Sequence, residues 1–424
     1  MDHAQYSVAT TEDIVRLRRR IAQAGLPPRR TDANVIVGTW NIQKFGGFHP
    51  DWSENPGSPK RNLRALALIA EVVRCFDVIA LQEVLRDTAA LRYLMDQFLG
   101  PHWAVLLTDV SGGDKGNSER LAYLYDTRRV VLSGLAGEIV LPPTPEGLPE
   151  QFDRTPFIAG FRAANEHFTL LTVHIRYGSV PADRLPELQR IARYTAQELR
   201  ARARAGQSRE EPNLLVLGDF NIDKRQGNPL FDAFVETGLW VPEPLQTVKT
   251  TTGKTAKHYD QIAWFQGEDF GLKPSGRAGC IDFAGAVYQE LSSAQVSPRV
   301  SDHLPLWVEF TTDRSEEGMA RVLGVDIDGP EPFAGCWTER AVAVGAMGAL
   351  RAGRRDSTGW SWLDGNLRLS SPAVSPPRRR VWCGACRRRR GWPFPCLRRG
   401  GWRRSGRRRA GALQAHSACC EGRP

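Results

Sequence analysis

The feature that most constrains this chain is a set of apolar runs, each ending on a polar residue able to do chemistry. Residues 35–40, 77–82 and 213–217 are largely apolar, and they run into Asn41, Glu83 and the pair Asp219 and Asn221. Strands without polar alternation are buried on both faces, so a sheet built from them must be covered on both sides. A carboxylate at the end of such a strand needs a cation or solvent, because burying it unpaired is costly.

Other segments fill in the architecture. Shorter strands are predicted over 103–108, 121–125, 130–132 and 157–162, a strong one over 167–175, and the last over 260–265 and 305–310. Helices are predicted over 11–24 with Thr11 as N-cap, 63–74, 88–99, 183–205 and 229–237. So many strands with few helices exceed one three-layer parallel sheet. The expected fold class is α/β: a four-layer sandwich, two mixed β-sheets packed face to face with helices outside.

Charge and cysteine divide the chain. From Arg314 onward there are 22 arginines, no lysine and nine acidic residues, whereas residues 1–313 carry a net charge of −3. The overall charge of +10 is therefore no footprint of nucleic-acid binding by the folded part. Residues 1–33 are expected to be a helical extension, 34–313 the main folded domain, and 314–424 an Arg/Gly/Trp-rich low-complexity tail without fixed structure. Cys383 and Cys386 have zinc-ligand spacing, but arginine runs separate them from Cys396, His416, Cys419 and Cys420, which argues against a zinc ribbon. Only Cys75 and Cys280 precede the tail, which fits a reduced compartment. With no secretory pattern and no apolar run long enough to span a bilayer, a cytoplasmic location without stable membrane association is expected.

The polar strand ends share one chemistry. Glu83 and Asp302 offer hard oxygens of the kind a magnesium-like cation takes, usually shared with phosphate. His303 follows Asp302 and is placed to face phosphorus, with Asp260 as the carboxylate that fixes its tautomer. Asp219 and Asn221 lie two residues apart and project to one side. Alternation over 170–176 puts Thr172, His174 and Arg176 on one face, an imidazole and a guanidinium suited to an anionic oxygen.

The ordered set Trp40-Asn41, Gln82-Glu83, Val173-His174, Gly218-Asp219-Phe220-Asn221, Tyr259-Asp260 and Ser301-Asp302-His303 resembles the endonuclease/exonuclease/phosphatase superfamily, in its deoxyribonuclease I-like branch. The likeness spans residues 34–312 and implies a Mg²⁺-dependent phosphoesterase, with Mn²⁺ as substitute. It implies Asn41, Glu83 and Asp302 as metal ligands and His174, Asp219, Asn221, Asp260 and His303 as catalytic residues. Asn41, Asn221, Arg176 and Arg120 are implied to contact substrate. The expected substrate is nucleic acid, DNA ahead of RNA, with a local basic rim of Lys44, Lys60, Arg61, Arg176, Lys254 and Lys257 tracking its backbone. No obligate protein partner is inferred. The alternatives are a small-molecule or phospholipid-head-group phosphodiesterase of the same superfamily, and an inactive nucleic-acid-binding module.

Overall fold

The chain divides into two units, Met1–Met347 and Gly348–Pro424. The computed structural model describes residues 3–327, 329 and 333, apart from 113–116, 142–146, 148–149, 200–204, 206–212 and 268–269. The expected low-complexity tail beyond 333, with its cysteines, lies outside the described residues.

Two parallel strand pairs sit at the centres of two mixed six-stranded sheets. In the first sheet β1 (Asn34–Phe45) lies beside β2 (Val78–Leu85), flanked by β4 (Glu119–Asp126) and edge strand β3 (Trp103–Leu107) on one side. On the other side are β12 (Leu306–Thr311) and β11 (Lys273–Cys280). In the second sheet β7 (Glu166–His174) lies beside β8 (Leu214–Asp219). Next to these run β6 (Phe157–Ala163) and β5 (Val131–Glu138) on one side, and β10 (Asp260–Phe265) and β9 (Leu239–Trp240) on the other.

Alternation along β1 explains why its sequence is nearly all apolar. Val35 and Val37 enter the core between the sheets, while Ile36, Trp40 and Ile42 face the helices outside. Those helices are α1 (Val8–Gln23) and α2 (Leu63–Val73), with α3 (Ala89–Tyr93) continuing as a wider turn over Leu94–Leu99. On the far face, α4 (Leu185–Tyr194) and α5 (Pro229–Val235) bring Leu188, Ile191, Leu230 and Phe234 onto the second sheet. The result is helix, sheet, sheet, helix. Burying each large apolar side chain contributes about 1.5–3 kcal/mol.

Several local expectations change. Helix α1 starts earlier, because Ser7 Oγ accepts from Thr10 N at 3.2 Å and is the cap, in place of Thr11. Strand β11 carries no apolar pattern, being a mostly exposed edge strand paired only with β12. A further helix, α6 (Ser315–Leu323), continues regular structure past the expected boundary at 313, and Arg314 Nη2 ties its start to the Gly271 carbonyl at 2.7 Å. No helix among the described residues is long and apolar enough to cross a membrane.

Candidate active site

The carboxyl ends of both central strand pairs open on the same rim, and the polar strand-end residues meet there. Asn41 ends the regular pairing of β1 with β2, and its Nδ2 donates to Glu83 Oε1 and to Asp219 Oδ2, both at 2.9 Å. Asp219 belongs to the other sheet, so this amide links the two. Glu83 sits at a bulge with φ +61°, and Gln43, Lys44 and Asn221 are also left-handed. Such strained backbone is concentrated where a surrounding structure dictates the geometry.

Gly218 makes the approach of β8 to β7 possible. Its φ is +140°, and a Cβ there would lie 2.1 Å from the Val173 carbonyl oxygen. With glycine present, β7 and β8 pair up to His174 opposite Asp219.

Two imidazole–carboxylate pairs flank Asp219. His303 Nδ1 and Asp260 Oδ2 are 2.8 Å apart, and His303 Nε2 lies 3.8 Å from Asp219 Oδ2. His174 Nδ1 lies 2.9 Å from Glu119 Oε2, a contact off the hydrogen-bond axis and therefore electrostatic, and His174 Nε2 lies 3.5 Å from the same Asp219 oxygen. All five of these side chains are buried. Each pair crosses the sandwich: Glu119 on β4 meets His174 on β7, and Asp260 on β10 meets His303, just before β12.

The neighbours of these groups fix their charge. Burial works against a charged His303, but Asp260 and Asp219, then Asp302, lift it to about 10. Burial also works against a charged Asp219, yet His303 and His174, the Asn41 amide and the Asn221 N–H outweigh it and hold the carboxyl below its usual range. Asp260 is pushed up by burial despite its contact with His303. Glu119, opposed by burial, is held down to about 2 by His174 and Arg154. Asp302 is pushed up by burial, with Glu83 and Asp219 adding to the rise.

Supporting contacts explain the short motifs. Trp40 Nε1 donates to the His303 carbonyl at 2.9 Å. Ser301 Oγ donates to the Asn41 carbonyl at 2.6 Å and accepts from His303 N at 2.9 Å. Gln82 is structural: its Nε2 donates to Thr39 Oγ1 and, across the sandwich, to Thr172 Oγ1. Arg61 is buried, and its guanidinium donates to the carbonyls of Ile42, Gln43, Lys44 and Val300. It braces the loop beside Asn41 and cannot belong to a basic rim. Lys257 Nζ is likewise engaged, by Asp223 at 2.6 Å.

The residues implied to contact substrate make these contacts within the protein. Strand β7 ends at His174, so alternation stops and Arg176 turns to Asp153 at 2.9 Å and Glu150 at 3.2 Å. Arg120 follows Glu119 on β4, so its side chain leaves on the opposite face and donates to the Thr108 carbonyl at 2.6 Å. The amide of Asn41 spends both N–H groups on carboxylates and its Oδ1 accepts from Gln43 N at 3.0 Å, which leaves it a bridge between carboxylates as placed. Asn221 Nδ2 donates to the Ile175 carbonyl at 2.8 Å, with one N–H left over.

Arg154 was not singled out by its local sequence, and Glu119 stood out only with Arg120, as polar residues before a strand that loosely resemble substrate contacts of the family. Arg154 is buried in the β5–β6 connection and its Nε donates to Glu119 Oε2 at 2.6 Å.

The donor set fits a hard divalent cation. Ligand atoms of Glu83, Glu119 and His174 lie within 4.8 Å of one another, as do those of Asp219, Asp260 and His303. Asp302 feels the charge of Glu83, and Asp260 Oδ1 is buried without a hydrogen-bond donor. Crowded carboxylates of this kind call for positive charge.

The chain matches the endonuclease/exonuclease/phosphatase family profile over residues 38–404. It is 28% identical over 340 residues to a protein named deoxyribonuclease from Thioalkalivibrio sp. (strain K90mix), covering 77% of this chain and 82% of that protein. Among solved structures it is similar to an endonuclease/exonuclease/phosphatase family protein from Bacteroides thetaiotaomicron, with TM-score 0.46 and 19% identity over 66% of this chain and 98% of that one. It is also similar to a mannosyl-6-phosphatase of Bacteroides thetaiotaomicron VPI-5482, with TM-score 0.42 and 17% identity over 65% of this chain and 99% of that one. With its profile match covering most of its length, the chain belongs to the endonuclease/exonuclease/phosphatase family of hydrolases.

Proposed function

We propose that this enzyme is a divalent-metal-dependent deoxyribonuclease that hydrolyses phosphodiester bonds, with Mg²⁺ as its ion. The observation that carries the reading is the convergence of two imidazole–carboxylate pairs on Asp219 Oδ2, at 3.5 and 3.8 Å. Diester hydrolysis needs one group to take a proton from water and another to give one to a poor alkoxide leaving group. A carboxylate between two histidines meets that need. The named deoxyribonuclease relative supports DNA as the polymer.

The residues divide the work as follows. Asp219 orients the attacking water and takes its proton, and His303, kept protonated by Asp260 and Asp219, donates from Nε2 to the phosphate oxygens. As the water oxygen bonds to phosphorus, the bond to the leaving oxygen breaks and His174 Nε2 gives that oxygen a proton. Glu119 and Asp260 hold the two imidazoles from the Nδ1 side. Glu83 and Asp302 would hold the ion, which would supply positive charge against the charge growing on phosphate. The remaining N–H of Asn221 would donate to a phosphate oxygen.

The test is hydrolysis of duplex DNA, RNA, sphingomyelin and bis(4-nitrophenyl) phosphate by the full chain, with magnesium and with chelator. DNA and the nitrophenyl diester should both be cleaved with magnesium only, and His303→Ala or Asp219→Ala should lower the rate by about 10²–10³-fold or more. Full turnover in chelator, or cleavage of sphingomyelin alone, would defeat the proposal.

A further inference from the structure

A large cleft lies outside the catalytic rim, on the helix side of the first sheet's edge. It encloses about 680 Å³ between β3 and α3 and is lined by Arg86, Arg92, Arg120, Leu91, Met95 and Trp103 among others. Trp103 and Val105 belong to the apolar layer under the helices, so this cleft is separate from the space holding Asp219.

Its connection to the catalytic rim follows from strand register. Leu85 pairs with Glu119 and Val84 with Arg120. Arg86 therefore leaves β2 beside the residue that holds His174, while Arg120 is the next residue along β4 and projects to the other face. A polymer leaving Asp219 across the adjoining ends of β2 and β4 meets these two arginines first and Arg92, on α3, next.

The charge of the cleft is unbalanced. Arg86 and Arg92 are exposed, and neither pairs with a carboxylate among the described residues. Arg120 Nε is buried without a hydrogen-bond partner, and its nearest acid is the exposed Asp109 at 3.6 Å. Asp96 is the one acid lining the cleft. Three guanidiniums above an apolar floor suit phosphates joined to flat apolar groups, which is the chemistry of a polynucleotide.

We propose that this cleft is an exosite for the nucleic-acid strand flanking the cleaved bond, with Arg86, Arg92 and Arg120 on successive phosphates. The assignment rests on the nuclease reading above. It places the strand beyond the scissile phosphate along β3 and makes substrate length a determinant of affinity.

The experiment compares the full chain with an Arg86→Gln/Arg92→Gln double variant and an Arg86→Lys/Arg92→Lys control. A single-stranded oligonucleotide and bis(4-nitrophenyl) phosphate serve as substrates, with magnesium at several salt concentrations. For the glutamine variant KM on the oligonucleotide should rise about fivefold or more, and the dependence of log KM on log salt should become shallower by roughly 0.7 per lost contact. Its rate on the nitrophenyl diester should stay within about twofold, and lysine should restore most of the oligonucleotide affinity. An unchanged KM, in a wild-type chain that does cleave DNA, overturns the exosite and leaves the nuclease reading standing. Equal losses on both substrates overturn it as a general defect. A wild-type chain that cleaves only the nitrophenyl diester overturns both.

Discussion

Glu119 Oε2 lies 2.9 Å from His174 Nδ1, and the two residues come from different sheets. The second pair, Asp260 and His303, crosses the sandwich in the opposite sense: the acid belongs to the second sheet and the histidine precedes β12 of the first. Both imidazoles therefore keep their positions only while the sheets keep their packing. Gln82 to Thr172 and Asn41 to Asp219 are the polar ties that fix that packing near the rim.

Glu119→Gln should lower the rate of DNA hydrolysis by about 10- to 100-fold, the usual cost of removing the carboxylate that orients a working imidazole. The thermal midpoint should fall only modestly, since Arg154 can still donate to the amide oxygen. Steady-state rates together with a melting curve check this. Wild-type activity in the variant would remove Glu119 from the site.

Magnesium should raise the melting temperature of the chain. Asp302 is pushed up by burial and by the charge of Glu83, so a cation there relieves both strains. An ion at a hundred times its Kd adds about 2.7 kcal/mol of stability, read as a shift of a few degrees in a calorimetric scan. Asp302→Asn should abolish most of that shift. A midpoint indifferent to magnesium in the wild-type chain counts against ligation at Glu83 and Asp302.

Gly218→Ala should destabilise the fold by about 3 kcal/mol, through a left-handed φ and a steric clash with backbone that cannot move alone. The obstructing atom is the Val173 carbonyl oxygen, 2.1 Å from where the new carbon would lie. Urea unfolding measures the loss. Wild-type stability would show that β7 and β8 are not this close.

Acid should weaken the structure through Asp126, far from the catalytic rim. Burial opposes its charge, but Arg128 and Arg29, at 2.7 and 2.6 Å, hold its carboxyl well below the usual range. The folded value is thus depressed. Its contribution is complete above the unfolded value of about 3.9 and is lost as pH falls through the folded one. Asp126→Asn should cost about 2 kcal/mol at neutral pH, and the gap to wild type should narrow as the pH drops below about 4. Unfolding curves at pH 7 and pH 3 decide it, and a constant gap would contradict this account.

Local sequence by itself determined the strand cores and the polar residues that end them. The runs into Asn41, Glu83 and Asp219 were legible because a strand covered on both faces must be apolar throughout, and its end is where polarity can return. The association of His303 with Asp260 was legible as a chemical need of the imidazole. Tertiary structure decided which of two adjacent residues faces the site: alternation gives parity, but only the pairing of Leu85 with Glu119 turned that carboxylate inward and sent Arg120 out. It also decided that Arg61 is an internal brace and that Arg154 reaches Glu119 from 35 residues away. Those contacts join segments distant along the chain and across two sheets, so local spacing and periodicity carry no trace of them.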